Sequence, residues 1–160
     1  MKIELIILIS ACLISLLSIF FIPKTKRTQA QFVFLFVQFP AWVLGLSAVE
    51  LKLLEYPYRE LSSINRTSFI FEYFILPVVC VHLNARFPEH ASIVKKLGLY
   101  IGVASIFTLA ELILERYTEV INYTGWEWYW TFLSVWFILW VSRVITLWFF
   151  GKKKLETGTQ

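Results

Sequence analysis

Glutamates stand inside apolar runs of this chain, where hydrocarbon or a hydrophobic core would ordinarily exclude them. Glu50, Glu72 and Glu111 fall near corresponding ends of three successive runs, and Glu115 follows Glu111 by one helical turn on the same face. A charged side chain costs a few kcal/mol to insert into a bilayer, so it faces a bundle interior or water. Carboxyls gathered at one depth are candidates for taking up a proton or a small cation. Glu4, at the same end of the first run, would complete an acidic vestibule. The plainer alternative for Glu50 is an ion pair with Lys52, Arg59 or Arg66.

A second polar layer consists of Gln38, His82 and Arg143. At about 1.5 Å of rise per residue these lie within roughly 10 Å of the opposite boundary, whereas Glu111 is about 20 Å from it. Arg143 is expected to reach Gln38 or His82; the plainer alternatives are that it snorkels to the headgroups or makes a packing salt bridge, although no carboxylate is expected at its depth. No metal site is expected, because His82 and His90 stand eight apart without further ligands. Cys12 and Cys80 lie within apolar runs and read as packing residues, not as a disulfide framework. Every acidic residue is a glutamate, and no phosphate-binding loop is present, so neither a nucleotide nor any other cofactor is expected. The Glu111-x3-Glu115 pair superficially resembles glutamate-type intramembrane proteases, but without clustered histidines an enzyme is not expected.

The elements that must carry these groups are five long apolar runs, at about 3–22, 32–54, 68–83, 97–117 and 128–150. Each approaches the ~17–25 residues that a membrane-crossing helix requires. A chain with 58% hydrophobic residues, 18% aromatics and a mean hydropathy of +0.68 has too much apolar surface for water. Backbone groups find no partners in hydrocarbon, and the runs lack two-residue alternation, so an all-α polytopic membrane protein is predicted. Lys24, Lys26 and Arg27, then Arg86, Lys95 and Lys96, then Lys152, Lys153 and Lys154 follow the first, third and fifth runs. The intervening connections carry Glu55, Glu60, Glu119 and Glu127. The positive-inside rule therefore places the N-terminus outside and the C-terminus in the cytoplasm. The net charge of +4 is split among short membrane-proximal segments, which argues for topology and against a nucleic-acid surface. The first run has only Lys2 ahead of it and no small-x-small cleavage site after it, so it is expected to be retained as a helix. A single domain, 1–151, is expected, with 152–160 as a basic and polar tail.

Small residues mark two packing faces: Ala41, Gly45 and Ala48 in the second run, and Gly98, Gly102 and Ser105 in the fourth. They suit close helix contacts, within the bundle by preference or in a homo-oligomer. Pro40 and Pro77 are expected to kink their helices. Tyr117, Tyr123, Trp126, Trp128, Tyr129 and Trp130 crowd one boundary and Trp148, Phe149 and Phe150 the other, the pattern of an aromatic belt.

The segment Glu111-Leu112-Ile113-Leu114-Glu115-Arg116-Tyr117 leads through Tyr123-Thr124-Gly125-Trp126 into an aromatic-rich last helix bearing Arg143. With Glu50, Glu55-Tyr56 and Phe87-Pro88, it resembles an uncharacterised family of small multi-spanning proteins of spore-forming Gram-positive bacteria. Where that family often carries a His after the Arg, this chain has Ile145 and Thr146. The resemblance implies a bacterial plasma-membrane protein expressed around sporulation, and supplies no activity. Two functions are expected on these grounds. The first is a non-enzymatic accessory or assembly component whose helices bind other membrane proteins; the second is a small gradient-driven cation or proton transporter or channel.

Overall fold

The computed structural model describes residues 3–58 and 67–151. Five helices run up and down: α1 (Ile3–Ile19), α2 (Arg27–Glu50), α3 (Leu76–Ala85, entered through a π-helical turn at Phe71–Ile75), α4 (Ile93–Tyr117) and α5 (Trp128–Phe150). Among the described residues, three segments are long and apolar enough to cross a membrane, Lys24–Glu50, Ile93–Tyr117 and Trp128–Phe150. Ile3–Ile19 and Phe71–Ala85 are apolar but shorter. Large apolar side chains stay exposed along the long helices, Leu35 and Phe39 on α2, Ile106 and Ile113 on α4, Leu133 and Phe137 on α5. Such outward apolar faces match hydrocarbon as the surrounding medium.

The helix limits depart from the hydropathy runs for local reasons. α2 begins at Arg27, before its apolar run, and ends at Glu50. There Lys52 adopts a left-handed conformation (φ 56°), while Lys52 N bonds Val49 O and Leu53 N bonds Ala48 O. This is the paired bonding that closes a helix C-terminus, with lysine at the position glycine usually takes, at a cost of roughly 1–2 kcal/mol. The chain then extends, and Leu54–Glu55 (β1) pairs antiparallel with Asn122–Tyr123 (β2). An all-α reading thus needs one correction, a two-stranded clasp joining the α2–α3 and α4–α5 connections. Thr124 N and Gly125 N both donate to Leu53 O, and Tyr58 N donates to Glu119 O, extending the clasp.

Pro40 lies within α2 without ending it, whereas Pro77 stands at the start of α3, where the π-helical turn gives way to regular helix. Pro77 has no N–H, so the carbonyl four residues earlier loses its helical donor. Gln38 Nε2 supplies one, donating to Tyr73 O at 3.0 Å.

α5 is the central element, packed against α2, α3 and α4. Val33, Val37 and Ala41 of α2 meet Cys80 and Val81 of α3, Tyr100 and Ala104 of α4, and Val135, Ile138 and Leu139 of α5 in one core. α1 touches the bundle at the π-helical turn. The clasp marks one end of the bundle, here the strand end. The opposite end, the basic end, carries Lys24, Lys26, Arg27, Arg86, Lys95 and Lys96.

Candidate functional site

Glu72 and Glu111 line the same cavity near the strand end, a space of about 90 Å³ bounded also by Gly45, Tyr56, Trp126 and Thr131. That volume accommodates a few water molecules. The two carboxyls arrive by different routes. Glu111 lies on the α4 face that also buries Tyr100, Ala104 and Thr108, a spacing of three and four residues turned toward α5. Glu72 is projected from the π-helical turn, a feature that often accompanies functional side chains.

Their surroundings differ. Glu111 Oε1 accepts from Tyr123 Oη at 2.6 Å and from Thr131 Oγ1 at 2.7 Å. Trp126 Nε1 in turn donates to Thr131 Oγ1 at 2.7 Å. Each hydroxyl has one proton, and both are committed to Glu111, so the 3.2 Å approach of Tyr123 to Thr131 is a proximity without a proton between them. Among the described residues Glu72 has a single donor, Thr67 Oγ1, at 2.7 Å from Oε2. Its Oε1 is buried and meets no hydrogen-bond partner among the described residues. A buried carboxylate oxygen left bare costs free energy that a proton, water or cation would recover. Among the described residues neither carboxyl has a cationic partner. Arg59 and Arg66, named above as partners for Glu50, lie outside the described residues.

Gly45 explains how Glu72 is seated. A Cβ built on Gly45 would overlap Glu72 Oε1, so only glycine lets α2 back onto the carboxyl. Tyr56 and Tyr123, in the connections, both have phenols raised above the usual 10.0, first by burial and then by nearby carboxylates: Glu72 and Glu111 for Tyr56, Glu111 for Tyr123. Both phenols are therefore held neutral beside the acids.

The other acids stay at the margin. Glu50 is exposed at the end of α2, Glu115 is half-buried one turn beyond Glu111, and Glu4 is buried on α1 beside a shallow depression containing Arg116 and Glu119. The expected inner layer does not assemble as a unit. Gln38 serves Tyr73, as above. His82 is bonded between Ser18 Oγ (2.9 Å) and the Arg86 guanidinium. Arginine can only donate, so Nδ1 of His82 is the acceptor and Nε2 donates to Ser18, which donates to Ser15 O.

Arg143 corrects the sequence expectation most clearly. It is 3% exposed, ion-paired to Glu89 of the α3–α4 connection, with its guanidinium carbon 4.4 Å from the Phe87 ring centroid. It does not snorkel; the salt bridge is the alternative that is made, to a carboxylate that does lie at its depth. Glu89 was missed because it belongs to a connection and not to a run. Its signal was its sign, an acid within the otherwise basic stretch from Arg86 to Lys96.

The two small-residue faces also part company. Ala41 and Ala48 are buried and Gly45 seats Glu72, but a Cβ at Gly98 or Gly102 would meet no atom within 4 Å. At 3.6 residues per turn, the buried Tyr100–Ala104 face lies about 200° around α4 from Gly98 and Gly102. Gly98 is exposed, and Gly102 and Ser105 are half-buried, so the intramolecular contact expected of them is not made. Tyr123 and Trp126, expected in the aromatic belt, turn inward to the Glu111 network. Cys80 is buried in the core and Cys12 half-buried, both as free thiols.

The chain matches no family model, no curated protein and no solved structure. Its chemistry therefore rests on the residues that line the cavity. Tyr56, Trp126 and Thr131 of that lining, with Thr67 and Tyr123 that donate to the two carboxyls, are the residues that hydropathy and charge did not point to. All five lie in connections or at a helix start, where no periodic signal operates.

Proposed function

We propose that this chain is a non-enzymatic, five-span plasma-membrane protein that takes up a proton or small cation at Glu72 and Glu111. The observation that carries this reading is a shared cavity with two buried carboxyls, one oxygen of which, on Glu72, has no partner among the described residues. Carboxyls that have no cation partner among the described residues of a bilayer-embedded bundle are retained for a reason, and ion or proton binding is the chemistry they perform. In proteoliposomes carrying a proton or cation gradient, wild-type protein is expected to dissipate it and Glu111→Gln to lose that flux while inserting normally. Wild-type protein as silent as the variant would remove the ion-handling reading.

A second reading, an accessory or assembly component that binds partner helices, is favoured by the open Gly98–Gly102 face of α4. The resemblance to proteins of spore-forming Gram-positive bacteria supports placing either role in a bacterial plasma membrane around sporulation.

The orientation proposed is N-terminus outside, C-terminus cytoplasmic. Its support is the segregation of Lys24, Arg27, Arg86, Lys95 and Lys96 at one end of the bundle and Glu50, Glu55, Glu119 and Glu127 at the other. A reporter fused after Gln160 should report from the cytoplasm. A cysteine replacing Ser62, which lies outside the described residues as do Lys152, Lys153 and Lys154, should react with impermeant thiol reagents on intact cells. Labelling of that cysteine in inverted vesicles alone would reverse the orientation.

A further inference from the structure

At the basic end, a groove of about 380 Å³ opens between the end of α1 and the start of α2. α1 is tied to the α3 side there, through the bond of Ser18 to His82 and that of Arg86 Nη2 to Phe21 O at 2.8 Å. Those ties leave the α1–α2 side open. Val78 and Val81 of α3 form the apolar floor, and Phe20 and Phe34 flank it. Arg27 and Gln31 stand at the mouth, one turn apart on α2 and both exposed. Glu89, the acid of the α3–α4 connection at this end, is already committed to Arg143, and among the described residues no carboxylate pairs with Arg27.

We propose that this groove binds an anionic diacyl phospholipid, with one acyl chain along Val78 and Val81 and the phosphate on Arg27. The apolar floor takes the chain by ordinary burial of methylenes. Arg27, with the exposed Lys24 on the adjoining turn, supplies the charge complementarity, and its planar fork suits phosphate oxygens. Gln31 adds a neutral donor one turn along. A partner helix does not fit: at ~10 Å diameter and ~5.4 Å pitch it fills roughly 400 Å³ per turn, so the groove would hold about one turn. An acyl chain is thinner and bends to the floor. The inference rests on the membrane-embedded reading proposed above, and not on ion handling.

The test uses the full chain in mild detergent, with native mass spectrometry counting retained phosphatidylglycerol or phosphatidylcholine of identical acyl chains. Wild-type protein should retain phosphatidylglycerol in preference. Arg27→Gln should weaken that retention about fivefold, the equivalent of one membrane-surface cation. Gln31→Trp, which places a ring across the mouth, should reduce retention of both lipids. Lys95→Gln, at the same end on α4, should leave both unchanged. Equal losses in Arg27→Gln and Lys95→Gln, or full retention in Gln31→Trp, would mean unspecific annular lipid and overturn the site. Displacement of phosphatidylglycerol by inorganic phosphate alone would overturn it in favour of a free-anion site. Recovery of the wild-type chain in the aqueous fraction without detergent would instead defeat the membrane reading itself.

Discussion

Glu89→Ala should destabilise the folded protein by about 3 kcal/mol, more than a hundredfold in the folding equilibrium, when unfolding is followed in detergent. The carboxylate is the charge partner of a guanidinium that is 3% exposed. Its removal leaves Arg143 charged and uncompensated, and stranding one member of a buried pair costs about 3–5 kcal/mol. The lower figure applies because Glu89 itself is 17% exposed and water reaches it. Nε and Nη1 of Arg143 already lack partners among the described residues, where no neighbouring acceptor stands ready to replace the lost one. Replacing both, as Glu89→Gln with Arg143→Leu, should recover much of the loss, since the cost lies in an unpaired charge and not in an absent pair. Arg143→Lys should fall between, keeping the charge but losing the flat contact over Phe87. Stability of Glu89→Ala within about 0.5 kcal/mol of wild type would show that Arg143 reaches solvent after all, the snorkelling behaviour expected from its position in the chain.

Gly45 should give two separable effects. In Gly45→Ala the new methyl claims the space of Glu72 Oε1, and the carboxyl, at the free end of its side chain, swings away and gives up the 2.7 Å bond from Thr67. Loss of that bond costs about 1 kcal/mol. Replacing an interior helical glycine by alanine returns a similar amount. Net stability should therefore change little, while any proton or cation flux falls as far as it does in Glu72→Gln. No titratable group has been altered, so a loss of flux in Gly45→Ala would come from the position of the carboxyl alone. Gly45→Leu cannot be absorbed by one side chain and should wedge α2 from the π-helical turn, with an overpacking cost of about 3 kcal/mol. Flux unchanged in Gly45→Ala, at wild-type stability, would detach Glu72 from the site and leave Glu111 to carry it.

Apolar run length and spacing were enough, on the sequence alone, to establish a helical chain with outward apolar faces, and the alternation of charge between connections was enough to place its basic and acidic groups at opposite ends. The helical period alone puts Glu111 on one face with Ala104 and Thr108, and all three are buried. These properties repeat with the helical period or accumulate along a segment, so neighbouring residues suffice to reveal them. The partners of the charged groups were another matter. Arg143 finds Glu89, fifty-four positions away, because a connection folds back under α5. Glu111 receives Tyr123 and Thr131 because the β1–β2 clasp holds the α4–α5 connection over the end of the bundle. Gly45 and Gly98 look alike as small residues in apolar runs, yet one seats a carboxyl and the other faces away from the bundle. Hydropathy is nearly uniform around such helices, so composition says little about which face turns inward. Helix rotation and loop path are set by packing across the bundle, and there only the tertiary structure decides.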